Sequence, residues 1–378
     1  MEKKDYELLG GMIRLWSTYI PEAAGDAVKE TLRSNWINTG NQEKLFREKV
    51  SRKFNIAYCV ACNSGTSALR ASYAALGIGP GDEVISTPYT FIATNTAILE
   101  QGAKPVFADI QYDTLNIDPK SVESKLTKNT KAIVCVHYGG LPCDMEELWA
   151  IGKKYHLPVV EDSAHALGSK YKGNYIGSRG DIITFSFQVI KIVTSGDGGI
   201  IATSNKEYYK KLKKLIWFGI DREEKKTNLL DPLPELIDVL GFKYNMNDIN
   251  ATLGIVGIDH FDIPFKRRKD IGERYRRELA GLRKIQLTKY APDRSPNYQI
   301  FPIHVEGRLD FAKFMHERSI MVNVNNRRND RYAIFGGMCE LPNTARADED
   351  VILIPLHADL NNEDVDKIID AVQAYDKL

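Results

Sequence analysis

Nowhere in the 378-residue chain do about 20 apolar residues run together, so its sequence offers no membrane-spanning helix. It also lacks an excess of charge of either sign. Against 51 Lys+Arg stand 50 Asp+Glu, a net of +1, too weak a basic field for a protein that works by holding nucleic acid. Cysteine is scarce and odd in number: Cys59, Cys62, Cys135, Cys143 and Cys339 do not form a secreted disulfide framework and are expected as thiols in a reducing cytoplasm. Cys59 and Cys62 have CxxC spacing, but no second pair or histidine cluster accompanies them, so a zinc site is not indicated. The opening MEKKDYELLGG has no apolar stretch of signal-peptide length, and no repeat or low-complexity tract interrupts the chain. With 43% hydrophobic and 27% charged residues, disordered and collagen-like classes are excluded as well.

What is present is an alternation. Between residues 64 and 203, short β-branched runs (EVIST at 83–87, PVFADI at 105–110, AIVCVHY at 132–138, PVVEDSA at 158–164, GIIATS at 199–204) alternate with helical patterns at 66–77, 95–102 and 145–155. Nearly all-apolar strands imply a mostly parallel sheet covered on both faces. The fold class expected is therefore three-layer α/β. From residue 265 a strongly charged helix, KRRKDIGERYRRELAGL, leads to a second α/β stretch ending in NEDVDKIIDAVQAY. The expected division is a large domain over 1–260 and a smaller one over 261–378.

Four segments of the large domain carry possible chemistry. Asn63-Ser-Gly65-Thr66-Ser67 leads from a strand into a helix, where glycine lets backbone approach a ligand and free N–H groups suit a phosphate, although an ordinary capped helix explains it equally. In Glu161-Asp162-Ser-Ala-His165 a carboxylate follows a strand, where α/β sheets bind ligands, or else merely caps a helix. The run from Asp181 reads as a strand that ends at Lys191, a lone lysine among apolar residues before a glycine-rich turn, a setting that lowers an amine's pKa and frees it to attack a carbonyl. Ser186 precedes it by five residues, and in Pro88-Tyr-Thr-Phe91 an aromatic stands ready to stack on a ring or to fill core.

In this order, together with SNWINTG (34–40), GPGDEVI (79–85), HYGG (137–140), GSRGDIITFSF (177–187), GFKYNMNDINATLG (241–254) and ILIPLH (352–357), these segments resemble the DegT/StrS family of pyridoxal-phosphate-dependent sugar aminotransferases, of the fold type I class. The resemblance implies pyridoxal 5′-phosphate as cofactor, with Lys191 as its Schiff-base lysine and Asp162 at the ring nitrogen. It places His165 near the ring hydroxyl, Phe91 on the ring face, and Gly65, Thr66 and Ser186 at the phosphate. It also sends Asn245 into the neighbouring subunit's site, which implies a homodimer. Members with histidine at the lysine position are sugar dehydratases, so Lys191 favours transamination. L-glutamate is then the expected donor and a nucleotide-linked keto-sugar the expected acceptor; a small phosphorylated ketone, a keto-cyclitol or another pyridoxal-phosphate reaction stays open. Two segments depart from the family pattern, Trp217–Arg222 and Val322–Asp330. Their Arg222, Arg327 and Arg328 are expected substrate contacts, because a guanidinium grips phosphate oxygens in pairs. Cys339 would matter only in a desulfurase-like reaction.

Overall fold

The computed structural model describes residues 11–223 and 237–378. Its centre is a seven-stranded sheet made of β1 (Tyr58–Cys62), β2 (Glu83–Ser86), β3 (Lys104–Phe107), β4 (Thr130–Val136), β5 (Val159–Asp162), β8 (Ile182–Ser186) and β9 (Gly199–Thr203). The order is β1-β9-β8-β5-β4-β2-β3. Only β9 runs against its neighbours; the pairs β2/β3, β2/β4, β4/β5 and β5/β8 are parallel. The expected α/β class therefore holds, with one antiparallel strand inserted.

Period-two alternation divides the strands between two cores. Cys59 and Ala61 of β1, Ile133 and Cys135 of β4, and Ile200 and Ala202 of β9 pack into one cluster with the helices Asn41–Phe54 and Asp248–Asp259. Val60, Ala132, Val134 and Ile201 face the other way, against Gly65–Ala75 and Lys206–Leu215. Each large aliphatic side chain buried on either face contributes about 1.5–3 kcal/mol, which is why these runs carry almost no polar residue.

Two smaller sheets complete the strands. A ribbon joins β6 (Lys170–Tyr171) to β7 (Asn174–Tyr175) and to β11 (Arg294–Ser295), while β10 (Ile285–Leu287), β12 (Phe301–Val305) and β13 (Val351–Ile354) form an antiparallel sheet. The second of these is the floor of a separate core, with Tyr275, Phe311, Ile368 and Val372 from the helices Asp262–Glu278, Arg308–His316 and Asn362–Asp376. The charged helix thus begins four residues before its basic run, at Asp262, and buries Ile271 and Tyr275 on one stripe. Residues near the N-terminus join this second core: Ile13 bridges Ile320 in parallel, and Ser17 hydrogen-bonds Asp359. Among the described residues, no helix is long and apolar enough to cross a membrane.

Candidate active site

The carboxyl ends of β4, β5 and β8 and the start of the Gly65–Ala75 helix open onto one cavity of about 380 Å³. This is the edge where parallel sheets collect ligands. Register places Val136, Asp162 and Thr184 side by side on β4, β5 and β8, and all three line the cavity.

Asp162 is buried. Its Oδ2 accepts a hydrogen bond from the Thr94 hydroxyl at 2.7 Å, and its Oδ1 accepts the Ala164 N–H at 3.1 Å. Because Thr94 spends its proton on Asp162, the Thr90 hydroxyl, 3.0 Å from it, must donate to Thr94. No helix follows Asp162. Residues 163–168 make tight turns instead, and the helix-cap alternative is thereby removed.

Lys191 is not at a strand end. β8 stops at Ser186, and residues 187–198 form an irregular loop that carries the half-buried lysine into the cavity. Burial pushes its ammonium down to about 8, and Arg268 pushes the same way, against the opposing pull of Asp162. His165 lines the same wall. Its burial, with Lys191 and Arg268 nearby, holds its pKa well below the ordinary value, so the ring is neutral, and its Nδ1 is buried without a hydrogen-bond partner.

At the opposite end, Ser64 caps the Gly65–Ala75 helix by accepting the Ser67 N–H at 3.0 Å. The Gly65 and Thr66 N–H groups at that helix start have no acceptor within the helix. A Cβ at Gly65 would stand 2.9 Å from Ser186 Cβ, so only glycine lets this helix start close on the serine. Phe91 lines the cavity and is 64% exposed.

The rest of the wall comes from residues to which the sequence assigned no role, the asparagines among them lying in the Val322–Asp330 segment that departs from the family pattern. Trp16 enters from the N-terminal stretch, Gln188 and Asp197 from the lysine loop, and Asn323, Asn325 and Asn326 from the segment before β13. Thr94 has no spacing signal that marks it, and Trp16 is brought in from 146 positions before Asp162, a distance no local pattern spans.

The three arginines are not in this wall. Arg328 was expected to hold a phosphate, and the structure corrects that expectation. It is 1% exposed, and its Nε and Nη2 grip Asp330 at 2.8 and 2.6 Å while Nη2 also donates to the Cys339 carbonyl, leaving little capacity for a ligand. Arg222 lies over the Trp217 ring at 5.1 Å, and Arg327 is exposed; neither lines the cavity. Asn245 is also outside it, bridged to Cys62 and donating to the Thr39 hydroxyl at 2.5 Å. Cys339 is exposed and does not line the cavity, which gives the desulfurase alternative no support.

The residues present fit a phosphorylated pyridine. There is a helix start closed on a serine, a carboxylate and an amine lining the same cavity, and a buried imidazole nitrogen left without a partner.

Comparison with known proteins agrees. MJ1066, an uncharacterized protein of Methanocaldococcus jannaschii, is 35% identical over 371 residues, covering 94% of this chain and 95% of that protein. The crystal structure of the sugar aminotransferase CalS13 from Micromonospora echinospora superposes with a TM-score of 0.91 at 28% identity, covering 96% of this chain and all of that one. The PLP form of Spr1654 from Streptococcus pneumoniae gives a TM-score of 0.89 at 30% identity, over 97% of this chain and 99% of that one. The model of the DegT/DnrJ/EryC1/StrS aminotransferase family matches residues 19–373, so the chain belongs to that family and is a pyridoxal-phosphate-dependent aminotransferase of fold type I.

Proposed function

We propose that this aminotransferase takes the amino group of L-glutamate and delivers it to the keto group of a nucleotide-linked deoxysugar. The observation that carries the reading is the convergence of Lys191, Asp162, His165 and the Gly65–Thr66 helix start on a single cavity. Pyridoxal phosphate, when bound, supplies a carbonyl that exchanges between amines and a ring that accepts electrons released at carbon.

The chain's own residues do the rest. Asp162, oriented by Thr94 and the Ala164 amide, would hold a proton at the ring nitrogen. Neutral His165 would meet the ring hydroxyl. Gly65, Thr66 and Ser186 would hold the phosphate, and Phe91 would cover the ring. Lys191, poised near neutrality, takes a proton from the carbon that bears the incoming amine and returns one to the carbon that receives it.

Such an enzyme must admit two dissimilar substrates to one cavity in turn. Asn323, Asn325, Asn326 and Gln188 line it, and their amides both donate and accept, so they would serve glutamate carboxylates in one half and sugar hydroxyls in the other. The likeness to CalS13, a sugar aminotransferase, supports the sugar as acceptor. Arg327, exposed and next in sequence to the cavity-lining Asn326, would meet the nucleotide's phosphates. In this reading the chain is a homodimer, and Asn245, which does not line its own chain's cavity, would serve the second copy's phosphate site. Sedimentation of a fully active monomer would remove that part of the reading.

The test is an absorbance experiment on the cofactor-loaded protein. Glutamate should bleach the visible band, a nucleotide-linked keto-sugar should restore it, and Lys191→Ala should never develop it. Restoration only by small phosphorylated ketones or keto-cyclitols would overturn the acceptor.

A further inference from the structure

Lys191 lies in a loop without regular structure, yet the groups on either side of it are fixed. The Ile192 N–H donates to Gln299 Oε1 at 3.1 Å, and Gln299 Nε2 donates to the Ile190 carbonyl at 2.8 Å. One side-chain amide therefore pairs with the main chain just before and just after the lysine, as the peptide group of a neighbouring strand would. Both of its hydrogen-bonding functions are spent on this, and the side chain is only 4% exposed.

Gln299 is itself held from the other side. Its N–H is shared between Asn297 Oδ1 at 3.0 Å and the Gly139 carbonyl at 3.1 Å. Its carbonyl accepts from Arg268 Nη1 at 3.0 Å, and the same nitrogen reaches the carbonyls of Tyr298 and Leu356. Arg268 is buried, with Asp359 the carboxylate that acts on it, and its own positive charge acts on Lys191. Gln299 comes two residues before β12, in the stretch leading into the antiparallel sheet, whereas Lys191 belongs to the loop between β8 and β9.

We propose that Gln299 is a positioning residue that grips the backbone on both sides of Lys191, fixing where its amine enters the cavity and tying that amine to the β12 side of the molecule. Nothing in the spacing of 108 residues between the two marks this contact. The inference rests on the reading of Lys191 as the cofactor-binding amine. Without the grip, the Ile190 carbonyl and Ile192 N–H lose their partners in a place where Ile192 is 3% exposed, so the loop must move to reach water. That motion displaces the amine and wets it.

The experiment follows uptake of pyridoxal phosphate by the cofactor-free protein, as growth of visible absorbance in a stopped-flow instrument from pH 6.5 to 10.5. The proteins are the natural chain, Gln299→Leu, Gln299→Asn and Lys191→Ala. An amine must be neutral to attack, so the rate of the natural chain should rise through about 8. Gln299→Leu keeps the volume and loses both hydrogen bonds. Its rate should fall about tenfold to a hundredfold, the scale of a misplacement near 1 Å, and the midpoint of its pH profile should move up toward ordinary lysine. Gln299→Asn keeps the amide but is one methylene too short to span both groups, and should behave alike even if the leucine variant does not fold. A folded Gln299→Leu or Gln299→Asn with the natural rate and midpoint would overturn the proposal. Visible absorbance growing equally in Lys191→Ala would instead overturn the reading of Lys191 on which it rests.

Discussion

Arg328 and Asp330 illustrate how the same residue type reads differently in sequence and in structure. A pair of adjacent arginines, Arg327 and Arg328, in a segment that departs from the family pattern invites a phosphate. The carboxylate two positions on, fully buried and also accepting the Cys339 N–H at 2.9 Å, takes the guanidinium instead. Removing one member of a buried pair leaves the other charge without compensation, so Arg328→Ala should lower unfolding free energy by about 3–5 kcal/mol in urea titration, while the KM for both substrates stays near its natural value in the folded fraction. A rise in KM without loss of stability would return Arg328 to the substrate. Lys191 was legible because a lysine surrounded by apolar neighbours is conspicuous. Asp162 was legible because it ends a strand, and its Thr94 partner was not, since a threonine in a helix has no distinctive neighbourhood along the chain.

At the scale of elements, the site depends on how a helix start meets a strand end. The Gly65–Ala75 helix can approach β8 because Gly65 has no side chain, and Gly199 at the start of β9 plays a similar part, where an added Cβ would fall 2.4 Å from the Ser64 carbonyl oxygen. Gly65→Ala should force the helix start away from Ser186. We expect a cost of about 1–3 kcal/mol, seen as a lower thermal midpoint, and about tenfold weaker retention of pyridoxal phosphate on dialysis. Unchanged retention would show that the helix start does not hold the phosphate. Element positions were largely readable: the helix over Met145–Tyr155 coincides with its sequence pattern, and strands fall within a few residues of their apolar runs. What failed was the extension of β8 to Lys191 and the helix after Asp162, because apolar character and a small polar triplet are shared by strands, loops and turns alike.

At the scale of the whole molecule, the N-terminal stretch straps the two cores together. Thr18 donates to the Val189 carbonyl in the lysine loop at 2.9 Å, Trp16 lines the cavity, and His357 Nε2 donates to the Arg14 carbonyl at 3.0 Å. Burial holds His357 down to about 4, with Arg268 adding repulsion and the Arg14 carbonyl pulling the other way. The unfolded chain therefore binds more protons than the folded one between about 4 and 6.5. Stability is complete above the ordinary histidine value and is lost as the pH falls toward 4, by at most about 3 kcal/mol. His357→Gln should flatten this slope, measured as the difference between the two proteins' urea midpoints across pH 4–7; parallel slopes would remove His357 as its source.

The sequence by itself determined the layered α/β class and its apolar strands, which depend on periodicity that the chain carries locally. The amine, carboxylate and glycine turn were candidates on local neighbours alone, and the order of motifs shared with a known family is what joined them into one expected site. Only the tertiary structure decided that Arg328 is spent on Asp330, that asparagine amides and Trp16 finish the cavity, and that Gln299 grips the lysine loop. Each of those is a choice among polar partners far apart in the chain, and burial made that choice by requiring every enclosed donor and acceptor to find one.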